Sequence, residues 1–156
     1  YTVLTSSAAS DVYKRQVLIS SSLTRHEVEI VRDFENLPPL MLEKQKLLQV
    51  IVNLLTNAKD SLTAGRTEGR KLKLHVRRIA EDRIQADVID NGEGIPAENL
   101  INIFSHGFTT KTHGHGFGLH SCANAIREMG GNLTATSNGS GQGATFSIEL
   151  PYEPAN

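Results

Sequence analysis

The chain has 156 residues, a formal net charge of −1 and a single cysteine. This length suits one ordinary domain with a hydrophobic core, and the balanced charge offers no basic field for nucleic acid or an anionic membrane. One cysteine excludes an internal disulfide. No apolar run approaches the roughly 20 residues of a membrane span, so we expect a cytoplasmic domain.

The first 27 residues lack the pattern of a folded element. Residues 1–16 are rich in Ser, Thr and Ala without a usable period, which predicts a disordered or non-native tail. Residues 17–27 follow as a lead-in segment. From Val28 to Phe34 apolar and polar residues alternate, which predicts the first strand, and Pro38-Pro39 then interrupts the chain.

The clearest helix is predicted over residues 43–63. Its apolar residues form one stripe at helical spacing, namely Leu47, Ile51, Leu54, Leu55, Ala58 and Leu62. Asn53, Asn57 and Asp60 fall together on the opposite face, although asparagine is a mediocre helix former. Either this face is simply solvated, or it is an oxygen-rich strip that holds a hard cation such as Mg²⁺.

Two predicted strands, Leu72–Val76 and Ile84–Val88, lead to a loop that contains glycines. The second strand delivers Asp90 at its end, and Gly92 and Gly94 follow at alternate positions. A carboxylate held there can accept a hydrogen bond from the exocyclic amine of adenine, while the glycines allow close approach of a flat ligand. The alternative is an ordinary turn, because Asp-Asn-Gly is a common turn sequence.

The stretch from Phe104 to His120 resembles a loop that binds phosphate groups. Lys111 and its neighbouring threonines supply cationic and hydroxyl contacts, and a helix is predicted over residues 119–129. The glycines before this helix are Gly114, Gly116 and Gly118. Glycine amides and a helix N-terminus together favour an anion. The spacing fits neither the dinucleotide fingerprint nor a Walker A loop, and a surface loop without a ligand is the alternative.

The remaining elements are short. Pro96 precedes a predicted helix over residues 97–103, and two final strands are predicted over residues 132–137 and 144–150. Thr145 on the last strand could support the adenine site, and Cys122 is expected to be a small buried residue. A zinc site is a weak alternative near the glycine loop, since no cysteine accompanies its histidines, His106, His113, His115 and His120.

Together these stretches resemble the ATP-binding catalytic domain of sensor histidine kinases over residues 28–151, with residues 152–156 as a tail. The resemblance lies in five ordered motifs: Asn53-Leu-Leu-Thr-Asn57-Ala, Asp90-Asn-Gly-Glu-Gly94, Phe104 with Phe108-Thr-Thr-Lys111, Gly114-His-Gly116-Phe-Gly118, and Gly141-Gln-Gly143-Ala-Thr145. It implies the Bergerat ATP-binding fold, an α+β two-layer sandwich whose mixed β-sheet is covered on one face by helices. The Phe-Thr-Thr-Lys and Asn-Ala-Lys-Asp-Ser stretches are most similar to the nitrogen-regulation-type subgroup, which has a short lid.

The resemblance also implies ATP and Mg²⁺ as cofactors and assigns roles to single residues. Asn57 would coordinate the Mg²⁺ and Asn53 would lie beside the γ-phosphate. Asp90 would bind the adenine amine directly and through a water shared with Thr145, and Lys111 would reach the terminal phosphates. No side chain is implied as a certain catalytic group. The implied nucleotide-binding set is Asn53, Asn57, Asp60, Asp90, Gly92, Gly94, Ile95, Phe104, Thr109, Thr110, Lys111, Gly114, His115, Gly116, Phe117, Gly118, Leu119 and Thr145.

The sequence departs from the family pattern at two places. Asp60 stands where many histidine kinases have a phosphate-contacting lysine, and His115 and Phe117 replace the commoner Thr and Leu. The helical hairpin that carries a phosphoacceptor histidine is not recognisable, because His26 precedes a strand. We therefore expect an isolated, monomeric catalytic domain of a parent protein that can be membrane-anchored. Its implied partners are the dimerisation and phosphoacceptor domain and, indirectly, a response regulator.

Three rival functions use related sequences. Hydrolytic ATPases of the topoisomerase or mismatch-repair type and anti-sigma-type serine kinases place a glutamate base four residues before the Mg²⁺-binding asparagine. This chain has Asn53 there, and an amide cannot take a proton from water. A pseudokinase scaffold would have no need of the glycines, Asp90 and Asn57. A protein histidine kinase domain that donates the γ-phosphate of ATP to a histidine on a separate domain is therefore favoured.

Overall fold

A computed structural model of the chain describes residues 2–4, 21, 23–108 and 118–153. The described strands are β1 (Thr2–Leu4), β2 (Glu29–Phe34), β3 (Leu40–Leu42), β4 (Lys71–Ala80), β5 (Arg83–Asp90), β6 (Asn132–Thr136) and β7 (Ala144–Pro151). The described helices are α1 (Lys44–Gly65), α2 (Ala97–Leu100) and α3 (Gly118–Glu128). No helix within these residues combines the length and apolar character that a membrane crossing requires.

The main sheet has five strands in the order β2-β4-β5-β7-β6. β2 runs parallel to β4, and the other neighbours pair antiparallel, so the sheet is mixed. α1 packs against β5, and α3 packs against β6 and β7 as well as against α1. This arrangement confirms the predicted α+β fold with helices on one face of a mixed sheet.

The core lies between the helices and the sheet. Burial on β7 alternates strictly, and its buried residues are Ala144, Phe146, Ile148 and Leu150. The predicted stripe of α1 supplies Leu54, Leu55, Ala58 and Leu62, with Val50 buried in addition. Each large aliphatic side chain buried in this way contributes on the order of 1.5–3 kcal/mol. The alternation along β7 and the helical spacing along α1 therefore both direct apolar side chains into the same layer of the core.

The ends of the domain differ from the sequence expectations. Thr2–Leu4 pair antiparallel with β3, whereas a tail was predicted for residues 1–16, and β3 itself was not predicted. Leu23 is fully buried in the core, so packing begins before the expected boundary at Val28. Tyr152, expected in the tail, is buried, and its N–H donates to the carbonyl of Asp82 at 2.7 Å.

α2 is shorter than the helix predicted over residues 97–103. After Leu100 the chain continues in successive turns, in which the Asn102 N–H donates to Asn99 O at 3.0 Å and the Ser105 N–H donates to Asn102 O at 2.9 Å. Bonds three residues apart tighten the path compared with an α-helix. These turns carry the chain from the loop after β5 toward the start of α3.

Candidate functional site

Asp90 lies at the end of β5 with only 5% of its surface exposed. Its Oδ1 accepts hydrogen bonds from the Ser61 hydroxyl at 3.0 Å and from the Gly92 N–H at 2.9 Å. Burial raises the pKa of Asp90 above its ordinary value, because the charged form loses solvation. Hydrogen bonds from Gly92, Ser61 and Ala144 oppose that shift. The structure thus holds this carboxyl group in one orientation.

The loop after Asp90 is seated on the C-terminal half of α1. The Glu93 N–H donates to Ser61 O at 3.0 Å, and a Cβ built on Gly92 would lie 2.5 Å from the same carbonyl oxygen. A Cβ on Gly65 would lie 2.3 Å from the Glu93 nitrogen. The sequence explained Gly92 by approach of a ligand, but the contact with α1 already requires glycine there.

The other side of this loop is bonded to the turn between β6 and β7. The Gly143 N–H donates to Gly92 O at 3.2 Å, and the Ile95 N–H donates to the Ser137 hydroxyl oxygen at 3.0 Å. Gly94 and Gly143 have φ angles of 73° and 70°, which side chains rarely adopt. The glycines of the Asp90–Gly94 and Gly141–Thr145 motifs therefore join the loop after β5 and the turn between β6 and β7 into one unit.

The side chains of Thr145 and Asp90 extend from opposite faces of the sheet. Asp90 pairs with Ala144 and Ile89 pairs with Thr145, so the Asp90 and Ala144 side chains share the helix-facing side of the sheet. Side chains alternate along a strand, which places that of Thr145 on the opposite face. This register does not bring the Thr145 side chain to the face that carries the Asp90 carboxyl group, and its support of the adenine site stays a prediction. Thr145 and Asp90 nevertheless both line one cavity of about 130 Å³, to which Ile89, Thr136 and Ala144 also contribute.

Asn53, Asn57 and Ser61 are spaced four residues apart on α1 and therefore lie along one side of it. The Nδ2 of Asn53 donates to the sulfur of Cys122 in α3 at 3.4 Å. At the other end, Ser61 bonds to Asp90. This polar row joins α3 to the end of β5 across about 12 Å of helix, at 1.5 Å per residue. Asn53 consequently faces α3 and does not lie on a merely solvated face.

Ser61 is a site residue that the sequence analysis missed. Its spacing of four residues from Asn57 could have revealed it, because that spacing places both on one side of a helix. Asp60 is partly exposed, and its Oδ1 lies 3.7 Å from Nζ of the adjacent Lys59. The predicted members Asn53, Asn57 and Asp60 are all only partly exposed.

The oxygen atoms of Asn53 and Asn57 in this row, together with those of the neighbouring Asp60, fit Mg²⁺ in type. Amide and carboxylate oxygens of Asn53, Asn57 and Asp60 are hard ligands, which this ion prefers. Among the residues that the structure describes, no group of three or more His, Cys, Asp or Glu could hold a metal. The few oxygen atoms that the helix itself offers suit an ion that keeps waters and takes further oxygen ligands from phosphate groups.

The segment before the predicted phosphate loop is bonded to α3. The Phe104 ring meets Phe146 edge to face, with centroids 6.4 Å apart, and the Phe104 carbonyl lies 3.0 Å from Nδ1 of His120. The other ring nitrogen, Nε2, lies 3.2 Å from the Asn124 amide nitrogen. Arg127 donates to the amide oxygen of Asn124 at 3.0 Å, which orients that amide.

Of the predicted phosphate-loop residues, Gly118 and Leu119 are described at the start of α3, where no atom of the described residues lies within 4 Å of a Cβ built on Gly118. Gly94 and Ile95 lie in the loop after Asp90. The other predicted members of this region lie outside the described residues: Thr109, Thr110, Lys111, Gly114, His115, Gly116 and Phe117.

Comparison with known proteins identifies the family of the chain and supports its fold. The family described as histidine kinase-, DNA gyrase B- and HSP90-like ATPases matches residues 43–154. The chain belongs to this family. Within it, the chain is homologous to the catalytic ATP-binding domains of sensor histidine kinases.

One such relative is the sensor protein CitS of Halalkalibacterium halodurans, 37% identical over 131 residues, which are 83% of this chain and 24% of CitS. The chain thus spans about a quarter of that relative's length. Full-length ShkA in complex with AMPPNP has the same fold, with a TM-score of 0.81, 24% identity, and coverage of 99% of this chain and 32% of ShkA. Histidine kinase ThkA, in complex with the response regulator TrrA, has a TM-score of 0.76, 24% identity, and coverage of 98% and 42%.

Proposed function

We propose that this chain binds ATP and Mg²⁺ and donates the γ-phosphate to a histidine on a separate dimerisation and phosphoacceptor domain of its parent protein. The observation that carries the proposal is the polar row of α1, which ends at the buried Asp90 on one side and at α3 on the other. A row of about 12 Å suits a ligand with a base at one end and phosphates at the other.

Asp90 is the base-binding residue in this proposal. With Oδ1 occupied by Ser61 and Gly92, the rest of the carboxylate can accept a hydrogen bond from the adenine amine. The carbonyl of guanine at the same position offers no hydrogen for this bond, so the site rejects guanine. A pocket built around one hydrogen bond discriminates strongly against a base that lacks it.

The phosphates extend along α1 toward α3. Asn57 would hold the Mg²⁺ and Asn53 would lie beside the γ-phosphate; when bound, the ion would supply positive charge for the phosphate groups. Gly118 begins α3, whose N-terminus favours an anion. Lys111 and the glycines before Gly118 complete the phosphate contacts.

Phosphotransfer is favoured over ATP hydrolysis because position 53 is an asparagine. A hydrolytic member of the family needs a general base to take a proton from water, and the Asn53 amide donates to Cys122 instead. The histidine acceptor brings its own nucleophile, so the domain need only hold and orient the nucleotide.

We further assign the domain to the nitrogen-regulation-type subgroup, with a cytoplasmic setting and a response regulator as the indirect partner. The assignment is supported by the short Phe-Thr-Thr-Lys stretch at residues 108–111 and by Asn-Ala-Lys-Asp-Ser at residues 57–61. We expect the isolated domain to be a monomer, which sedimentation would check.

The test is phosphotransfer in trans. Labelled ATP, the chain and a purified helical-hairpin domain that carries a histidine should together label that histidine, and Asn57→Ala should abolish the labelling. The chain alone should neither retain label nor release phosphate at a useful rate. Labelling of His26, or vigorous hydrolysis, would contradict the proposal.

A further inference from the structure

Cys122 lies in α3 at the contact with α1 and is only 1% exposed. Its sulfur accepts the hydrogen bond from the Asn53 amide nitrogen at 3.4 Å. On its donor side, the thiol lies 4.0 Å from the carbonyl oxygen of Val50. A thiol is both a weak donor and a weak acceptor, so one side chain can make both contacts.

These contacts set the orientation of the Asn53 amide. The nitrogen is held at the sulfur, so the amide oxygen is turned away from Cys122. The thiol can direct its S–H toward the Val50 carbonyl while the sulfur lone pairs accept from Asn53. An amide oxygen presented in this way is a suitable ligand for Mg²⁺ or its waters.

The geometry points to Cys122 as a positioning residue that orients Asn53 toward the γ-phosphate and its metal ion. This inference rests on the proposed function, which assigns Asn53 to that end of the nucleotide. Cys122 itself contacts neither nucleotide nor metal. Replacing Cys122 should therefore change the affinity for ATP, which has a γ-phosphate, and leave the affinity for ADP, which has none, unchanged.

The test compares Mg²⁺-ATP and Mg²⁺-ADP affinity by calorimetry in Cys122→Val and Cys122→Ser. Valine keeps the volume but cannot accept a hydrogen bond, whereas serine can. In Cys122→Val the preference for ATP over ADP should shrink by about three- to tenfold, the range of one modest hydrogen bond, with ADP affinity unchanged. Cys122→Ser should retain most of the wild-type preference.

Ile126→Val is the matched control, because Ile126 lies one turn further along α3 and its apolar side chain is fully buried. It should lower the melting temperature without changing the ATP-to-ADP ratio. An unchanged ratio in Cys122→Val, or an equal loss in the serine variant, would overturn the inference while leaving the proposed function in place. If the wild type binds neither nucleotide, the proposed function fails and the inference fails with it.

A second measurement follows the hydrogen bond between Asn53 and Cys122 directly. Cys122 is the only cysteine of the chain, so its S–H stretch is a unique infrared band. Asn53→Ala should shift this band in the absence of nucleotide, and Mg²⁺-ATP should shift it in the wild type more than Mg²⁺-ADP does. A band unaffected by Asn53→Ala would show that the two side chains are not coupled. If Cys122→Val fails to fold, Cys122→Ala takes its place in the calorimetry.

Discussion

The hydroxyl of Ser61 donates a 3.0 Å hydrogen bond to Oδ1 of Asp90 and thereby connects α1 to the end of β5. The same oxygen of Ser61 accepts the Glu93 N–H at 3.1 Å. One small side chain thus holds both the carboxyl group and the loop that follows it. The base end of the proposed site depends on a residue with no direct role in the chemistry.

Replacing Ser61 by alanine should weaken ATP binding by about tenfold and destabilise the fold by about 1 kcal/mol, since a buried carboxyl group loses one partner. Calorimetry and denaturant melts measure the two effects. Ser147→Ala is the control, because Ser147 lies on the outer face of β7 away from Asp90. Equal losses in both variants would contradict the assigned role of Ser61.

Replacing Asp90 by asparagine should reduce ATP affinity by at least about 100-fold, because the amide can present a donor where the adenine amine needs an acceptor. The shape of the side chain is preserved, so the protein should remain folded. Asp82→Asn, in the exposed turn between β4 and β5, should bind ATP normally. Wild-type affinity in Asp90→Asn, or equal affinity of the native chain for ATP and GTP, would refute the base assignment.

The raised pKa of Asp90 predicts opposite effects of pH on stability and on binding. Its folded-state pKa lies above the ordinary value of 3.8, so the folded state holds this proton more tightly than the unfolded state. The resulting stability is fully present below pH 3.8 and is lost as pH rises through the folded pKa. ATP affinity should rise over the same window, because the carboxylate is the acceptor.

Melts of the wild type and Asp90→Asn across this window measure the stability effect. The difference in unfolding free energy should favour the asparagine variant increasingly as pH rises. A constant difference would show that Asp90 has the same pKa in both states.

Replacing Gly92 by alanine should destabilise the fold by about 2 kcal/mol or more, because the new Cβ would lie 2.5 Å from the backbone of Ser61. Chemical denaturation measures the change. Gly118→Ala is the control, since its added Cβ would meet no atom within 4 Å among the residues that the structure describes, and its stability should be unchanged or slightly higher. A stable Gly92→Ala protein would show that the loop can move off α1.

Replacing Asn57 by alanine should remove most of the Mg²⁺ dependence of ATP binding, since the row then lacks its central oxygen ligand. Titrations with and without Mg²⁺ measure this directly. Asn102→Ala, in an exposed turn, should keep the wild-type response. If the Mg²⁺ dependence persists in Asn57→Ala, another group holds the ion.

The sequence by itself determined the long helix α1, the strands of the main sheet and the layers of the core. The helical spacing of Leu54, Leu55, Ala58 and Leu62 and the alternation along β7 each indicate one buried face, and the structure packs those faces together. Such patterns are local, because burying one face sets the period of the element that carries it. The position of Asp90 at the end of its strand follows from the same argument.

Tertiary structure decided which polar groups meet. Pairing of Thr145 with Ile89 placed its side chain on the face opposite that of Asp90, and a shift of one residue in strand register would have reversed this. Packing of α1 on α3 brought Asn53 to Cys122, and the loop after β5 brought Asp90 to Ser61. These contacts join residues 29 and 69 positions apart in the chain, so no local period could reveal them.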